Sequence, residues 1–316
     1  MSIINIAHAK QPGLNFYKLS TMRRTLLTIV FLSTLTWTTQ GQQSQPSIKL
    51  GILDFGSSSL GKLSAQTLRS TLRANGNIRL VDPDLSAAAA RGVGYAGSLN
   101  MSVAEAKDLG IAIDSEFFII GDAQTLRRSS STRPVYYESY SSLFIISSRT
   151  GRLIYWDRLA AESDNPKDAE DRLGKTLATT QTADQCLEAI KKAQLDERNE
   201  RALSIDANVP IVEDAPNDEK TAASEGLRLP RPYRRLRPPY PESAARAEAE
   251  GTVDVLLDVG ADGEISQIKL ARWAGFGLDE TTVATVRQLH FFPAMRDGAP
   301  IPMRVLLRYN FRKPSQ

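Results

Sequence analysis

The tightest constraint on this chain is an alternation near its end. Met303, Val305, Leu307, Tyr309 and Phe311 are apolar, and Arg304, Arg308 and Asn310 stand between them. A period of two puts one set on a buried face and the other in water. A second alternation precedes it. Gly251-Thr252-Val253 opens a strand with Val253, Val255, Leu257 and Val259 on one face, and Thr252, Asp254 and Asp258 on the wet one. Ala261-Asp262-Gly263 then turns the chain, because Asp-Gly tolerates the positive φ of a tight hairpin, and Ile265 to Leu270 runs back. Leu278-Asp279-Glu280 opens a helix with two acids at its positive end and Val283, Val286 and Leu289 as its stripe. Phe292-Pro293-Ala294 ends that helix, and Arg296-Asp297-Gly298 loops into the last strand. With the short Ala/Glu/Arg run after Tyr240-Pro241, the order is helix, hairpin, helix, strand. This is a small α+β unit of three antiparallel strands and two helices over residues 237–313.

The series Tyr240-Pro241, Gly251 with Val253, Gly263, Gly275, Leu278-Asp279, Phe292-Pro293-Ala294, Gly298 with Pro300, and Phe311 resembles the C-terminal domain of TonB-family energy transducers in order and spacing. The resemblance implies a periplasmic domain that contacts outer-membrane receptors or another envelope protein. A partner peptide adds as an extra strand, with backbone groups giving affinity and alternate side chains selectivity. The docking edge it implies is the last strand: Arg304, Val305, Leu306, Leu307, Arg308, Tyr309 and Asn310. A homodimer through that edge competes, since both use the same unpaired backbone groups.

At 316 residues the chain has room for two domains, a signal and a linker. Its net charge of +3 is too small to argue for nucleic acid. Its single Cys186 excludes an internal disulfide framework and a multi-cysteine zinc site. Met22-Arg23-Arg24, the apolar Leu26 to Trp37 and the small residues of Thr39-Gln40-Gly41 have the layout of a secretory signal. Met22 reads as the start, within an N-terminal extension and signal over 1–43, and a cut before Gln42 would give a periplasmic protein. The apolar stretch is shorter than the roughly 18 to 20 residues that span a bilayer. An uncleaved anchor, making an inner-membrane energy transducer, is the alternative. That segment carries no histidine for coupling to a proton-driven motor.

Residues 46–195 read as an α/β domain. Ile48 to Phe55 is a near-continuous apolar strand of the kind covered on both faces. Ser102 and Glu105 make a capping box, Val135 to Ser148 and Leu153 to Arg158 form a hairpin, and one long helix closes the unit from Lys167 to Ala202. Strands alternating with helices, then a hairpin, indicate a mixed α/β sheet. Leu53-Asp54-Phe55, Leu80-Val81-Asp82, Ala104 to Gly110 and Phe118 to Gly121 resemble the small periplasmic α/β domains of the CsgG-like and TolB N-terminal groups, which implies assembly or partner binding. Gly56 to Lys62 also spells G-x-x-x-x-G-K between a strand and a helix, the setting of a phosphate-binding loop. Leu63 stands where a Ser or Thr must hold magnesium, so a nucleotide-binding enzyme is the lesser reading and a strand–helix turn the greater.

Residues 196–236 read as a flexible linker, too poor in large apolar side chains to order itself. Arg228, Arg231, Arg234, Arg235 and Arg237 cluster among its prolines and at its end. They suit either an anionic membrane or peptidoglycan surface or a solvated, semi-rigid spacer. No aromatic-interleaved platform accompanies them, which argues against nucleic acid. No nucleophile–base pair or metal-ligand cluster occurs at usable spacing, and His290 reads as a satisfied, semi-buried histidine. The reading is therefore a periplasmic, non-catalytic adaptor with no cofactor and no metal.

Overall fold

Capping bonds place the first helices of the computed structural model, which describes residues 47–74, 77–206, 212–216 and 218–313. The signal segment lies outside the described residues, and all of these belong to one compact unit, Ser44–Gln316. The elements begin with strand β1 (Ile48–Ile52), helix α1 (Ser59–Arg73), β2 (Ile78–Leu80), α2 (Pro83–Gly92), β3 (Met101–Ser102) and α3 (Val103–Ile113). They continue through β4 (Phe117–Arg128), β5 (Tyr136–Ser147), β6 (Leu153–Ser163), α4 (Pro166–Leu177) and α5 (Thr180–Asp206). Asp82 caps α2 ahead of Pro83. Ser102 and Glu105 close a capping box on α3, as their spacing requires. The single helix expected from Lys167 is two helices, because the Thr179 hydroxyl accepts from the Thr182 amide and starts a new one.

The first sheet runs β2-β1-β4-β5-β6, parallel around β1 and antiparallel from β4 to β6. One face buries Ile119, Leu143 and Ile145 against Leu68 and Leu72 of α1, Leu173 of α4 and Ile190 of α5. Cys186 lies in that layer, where burial pushes its thiol up to about 12 and leaves it unreactive. The opposite face, with Phe118, Ile120, Phe144 and Ile146, packs on α3 and on the C-terminal region in one continuous core.

That region contains β7 (Glu213–Asp214), α6 (Glu219–Ser224), β8 (Leu227–Arg228), β9 (Arg231–Pro232), α7 (Glu242–Ala247), β10 (Gly251–Val259) and β11 (Ile265–Trp273). It ends with α8 (Leu278–Val286), β12 (Phe291–Phe292), β13 (Ala294–Arg296), β14 (Ala299–Ile301) and β15 (Met303–Phe311). Its main sheet runs β3-β11-β10-β15-β7. The three expected antiparallel strands are its centre, but among the described residues the sheet has five: β3 joins one side from the N-terminal region and β7 joins the other. Helix α8 stops before His290, so Phe292-Pro293-Ala294 starts short strands instead of ending the helix.

The expected free linker also differs. Helix α5 continues to Asp206. From Glu213 onward, β7, β8 and β9 pair in turn with β15, β13 and β12. Ala222 and Leu227 bury against Ala294 and Met303, while Glu213 bonds Arg296 at 2.8 and 2.9 Å. A few well-placed side chains and backbone pairs order a stretch whose overall composition is that of a spacer.

The two regions are joined by specific bonds. Asn100 donates from Nδ2 to the carbonyls of Thr252 (2.8 Å) and Trp273 (2.6 Å), and its Oδ1 accepts from the Thr252 amide (3.0 Å). The Trp273 indole N–H donates to the Gly151 carbonyl at 3.0 Å. Glu248 bonds Lys313 and Arg128, both at 2.5 Å, and these bonds hold its carboxyl down at about 2. A depressed carboxyl stabilises the fold above its unfolded value of 4.5, and that contribution fades as pH falls toward 2. Glu248→Gln is therefore expected to lower the unfolding midpoint above pH 4.5 and to match wild type near pH 2, as followed by circular dichroism.

Candidate functional site: the outer edge of the last strand

β15 pairs with β10 along its whole length, from Met303↔Val259 to Phe311↔Gly251. Among the described residues it meets only β7 on its other side, in parallel, through Met303↔Glu213 and Arg304↔Asp214. The Ala215 amide donates to the Arg304 carbonyl at 2.7 Å. That bond fixes which way each residue faces. Amide and carbonyl of one strand residue point to the same side, and neighbours alternate. With Arg304 facing β7, Val305, Leu307 and Tyr309 face β10, and Leu306, Arg308 and Asn310 face outward. Among the described residues no strand covers that outer edge beyond Arg304. Of the expected docking residues, Arg304 is thus already taken by the chain's own β7.

The side chains of this edge form a ladder with β10. Arg304 grips Asp258 through Nε (2.6 Å) and Nη2 (2.9 Å), and Arg308 grips Asp254 through Nε (2.7 Å) and Nη2 (2.9 Å). These hydrogen bonds raise both guanidinium pKa values. Thr252 donates to Asn310 at 2.8 Å. Leu306, 51% exposed, stands opposite Leu256. Asp254 and Asp258, expected on a wet face, are buried beneath the two arginines. Forked guanidinium–carboxylate pairs of this kind hold geometry as well as charge, so β15 is a stiff edge.

The motif residues build the fold away from this edge. Tyr240 donates its hydroxyl to the Ala249 carbonyl at 2.7 Å, and Pro241 precedes α7. Gly251 opens β10. Gly263 has φ +83°, and a Cβ there would lie 2.0 Å from the Phe291 carbonyl. Leu278 and Ala294 are fully buried. Asp279 accepts from the amides of Ala274 and Gly275, each at 2.9 Å, while burial pushes its carboxyl up to about 7. Phe292 departs from the rest: its ring is exposed, beside half-buried Pro293. His290 is likewise exposed, its Nδ1 2.9 Å from Glu264.

Of the arginine run, Arg231 pairs with Glu219 at 3.2 Å. Arg228, Arg234, Arg235 and Arg237 are exposed and have no ion pair among the described residues. The Gly56–Lys62 run is a strand–helix turn. Gly61's amide is spent on the Ser58 hydroxyl at 2.9 Å, and the same hydroxyl donates to the Ala123 carbonyl. Among the described residues no group of three or more His, Cys, Asp or Glu could hold a metal, and no helix is long and apolar enough to cross a membrane. Sequence reasoning passed over Asn100 and Trp273, which fasten the sheet bearing the edge. Trp273's only signal was its place at the apolar end of a strand, and Asn100 had none.

Residues 237–312 match the family model of the Gram-negative bacterial TonB protein C-terminal, and this part of the chain is a TonB-type C-terminal domain. Solved structures with similar parts include the TonB C-terminal domain of Pseudomonas aeruginosa, at 22% identity, covering 32% of this chain and 93% of that one with a TM-score of 0.25. The LpoB C-terminal domain from Salmonella enterica is 16% identical, over 39% of this chain and 87% of its own, with a TM-score of 0.27. Lipoprotein GNA1162 from Neisseria meningitidis is 10% identical, over 45% and 99%, with a TM-score of 0.29. No curated protein matches the chain.

Proposed function

We propose that this chain is a non-catalytic adaptor of the cell envelope, located in the periplasm. It captures an extended segment of an outer-membrane receptor or another envelope protein by strand addition to β15. The observation that carries this reading is the outward row of backbone groups on Leu306, Arg308 and Asn310, left open among the described residues while β15 is fully paired with β10 on its other side. A strand added there gains a backbone ladder, while Leu306 and the half-buried Val305, Leu307 and Tyr309 offer alternate apolar contacts.

The test is Leu306→Pro. Proline removes an amide that faces outward, so the β10 ladder keeps its bonds, and edge strands accept proline there. Deleting 305–311 would instead strip β10 of its neighbour and unfold the sheet. The variant is expected to keep its unfolding free energy within about 1 kcal/mol of wild type and to lose partner crosslinking from a photoreactive residue at Arg308. Retained crosslinking in the folded variant would move the docking site elsewhere. Sedimentation distinguishes self-association: a dimer dissolved by Leu306→Pro would assign the edge to a second copy of this chain.

A further inference from the structure

The exposed Phe292 belongs to a built surface separate from the β15 edge. β9 and β12 form a two-stranded ribbon in which Arg231 stands opposite Phe292 and Pro232 opposite Phe291. The Tyr233 amide extends the pairing by donating to the His290 carbonyl at 2.8 Å. Alternation sorts the ribbon into two faces. Phe291 faces inward and is buried in the main core, which fastens the ribbon down. Arg231, Tyr233, His290 and Phe292 share the outward face. The Tyr233 and Phe292 rings lie 4.4 Å apart by centroid, and Tyr233 lies 6.4 Å from His290. Both rings are open to solvent, at 60% and 59% exposure. Arg234, Arg235 and Arg237 follow directly in the chain, exposed and without ion pairs among the described residues.

Paired aromatic rings held in water have an unspent hydrophobic contribution, and uncompensated guanidinium groups beside them call for an anionic partner. We infer that the Arg231–Arg237 ribbon face docks the protein on an anionic phospholipid bilayer, with Tyr233 and Phe292 entering the headgroup layer and Arg234, Arg235 and Arg237 meeting lipid phosphates. Charge complementarity chooses an anionic surface. The aromatic pair chooses a bilayer over a soluble polyanion, because amphipathic rings settle at the lipid–water boundary. Two weak signals combine in this way into stable peripheral binding.

The test is flotation of the full chain with phosphatidylglycerol–phosphatidylcholine vesicles and with phosphatidylcholine vesicles alone. The readout is the excess bound to the former, which cancels any partition of the apolar Leu26–Trp37 stretch. Arg234→Glu with Arg235→Glu is expected to cut that excess roughly twentyfold or more, since each basic residue near an anionic surface contributes about fivefold. Tyr233→Ser with Phe292→Ser is expected to cut it several-fold without moving the unfolding midpoint, because both rings are solvent-exposed. An excess that survives both double variants would overturn the inference, as would one sensitive to the arginines alone. Patch-dependent binding to a soluble anionic polysaccharide, with no vesicle excess, would also overturn it and assign the face to a glycan.

Discussion

Trp273→Ala is expected to destabilise the whole described unit by about 3–5 kcal/mol, the usual range for deleting a buried tryptophan side chain. Trp273 sits at the end of β11 but stacks on Phe144 of β5, with ring centroids 6.1 Å apart. Its indole N–H satisfies the Gly151 carbonyl. The substitution opens a cavity where the two regions meet and leaves that carbonyl without its donor. Because Val253, Val255 and Leu257 share one core with Phe118, Ile120 and Phe144, the loss is expected to lower one cooperative transition. Denaturant unfolding followed by circular dichroism, with a histidine-free fluorescent label on each region, would read it. Two separate transitions, with only the C-terminal one shifted, would mean the regions are stable independently.

Gly275→Ala is the second large effect, at about 2–5 kcal/mol. Gly275, Phe276 and Gly277 take φ values of +72°, +54° and +81° in succession. An L-residue at such a position costs roughly 1–2 kcal/mol. A Cβ on Gly275 would also lie 2.2 Å from the Phe144 ring, and overpacking a filled core costs a further 1–3 kcal/mol or so. Neighbouring Phe276 bears its own left-handed strain because Phe144 meets it edge-on at 5.3 Å, Trp156 packs at 5.6 Å and Ser243 donates to its carbonyl at 2.7 Å. The check is thermal unfolding of the purified variant; a midpoint equal to wild type would show that Phe144 gives way freely.

These two positions show what could be read from the chain alone. Gly275 stood out in the motif series, yet its reason lies in Phe144, more than a hundred positions earlier, and no local pattern joins the two. The alternations of β10 and β15 were legible because a period of two reports face directly. The same rule put Asp254 and Asp258 in water, since it does not know that an arginine on the next strand covers each. The capping box at Ser102 was legible as a local bond. Asn100, two residues earlier, was not, because its partners are backbone groups on distant strands. Residues 196–236 read as a spacer because their composition is polar, yet those the structure describes from Glu213 onward are ordered. The order of the described ones comes from short strand pairs and from two acids that meet Arg296 and Arg304, and composition does not register pairing. The candidate edge itself was legible as a strand, but its partial cover by β7 was not.

The measurement that tests the β15 edge most directly is amide hydrogen exchange, resolved residue by residue, on the free chain and on the chain bound to a partner peptide. In the free chain, the amides of Val305, Leu307 and Tyr309 should be protected by β10, and those of Leu306, Arg308 and Asn310 should exchange fast. A bound partner strand should slow that second set and leave the first unchanged. Uniform protection along β15 in the free chain, or a bound partner that leaves Leu306, Arg308 and Asn310 exchanging fast, would contradict strand addition at this edge.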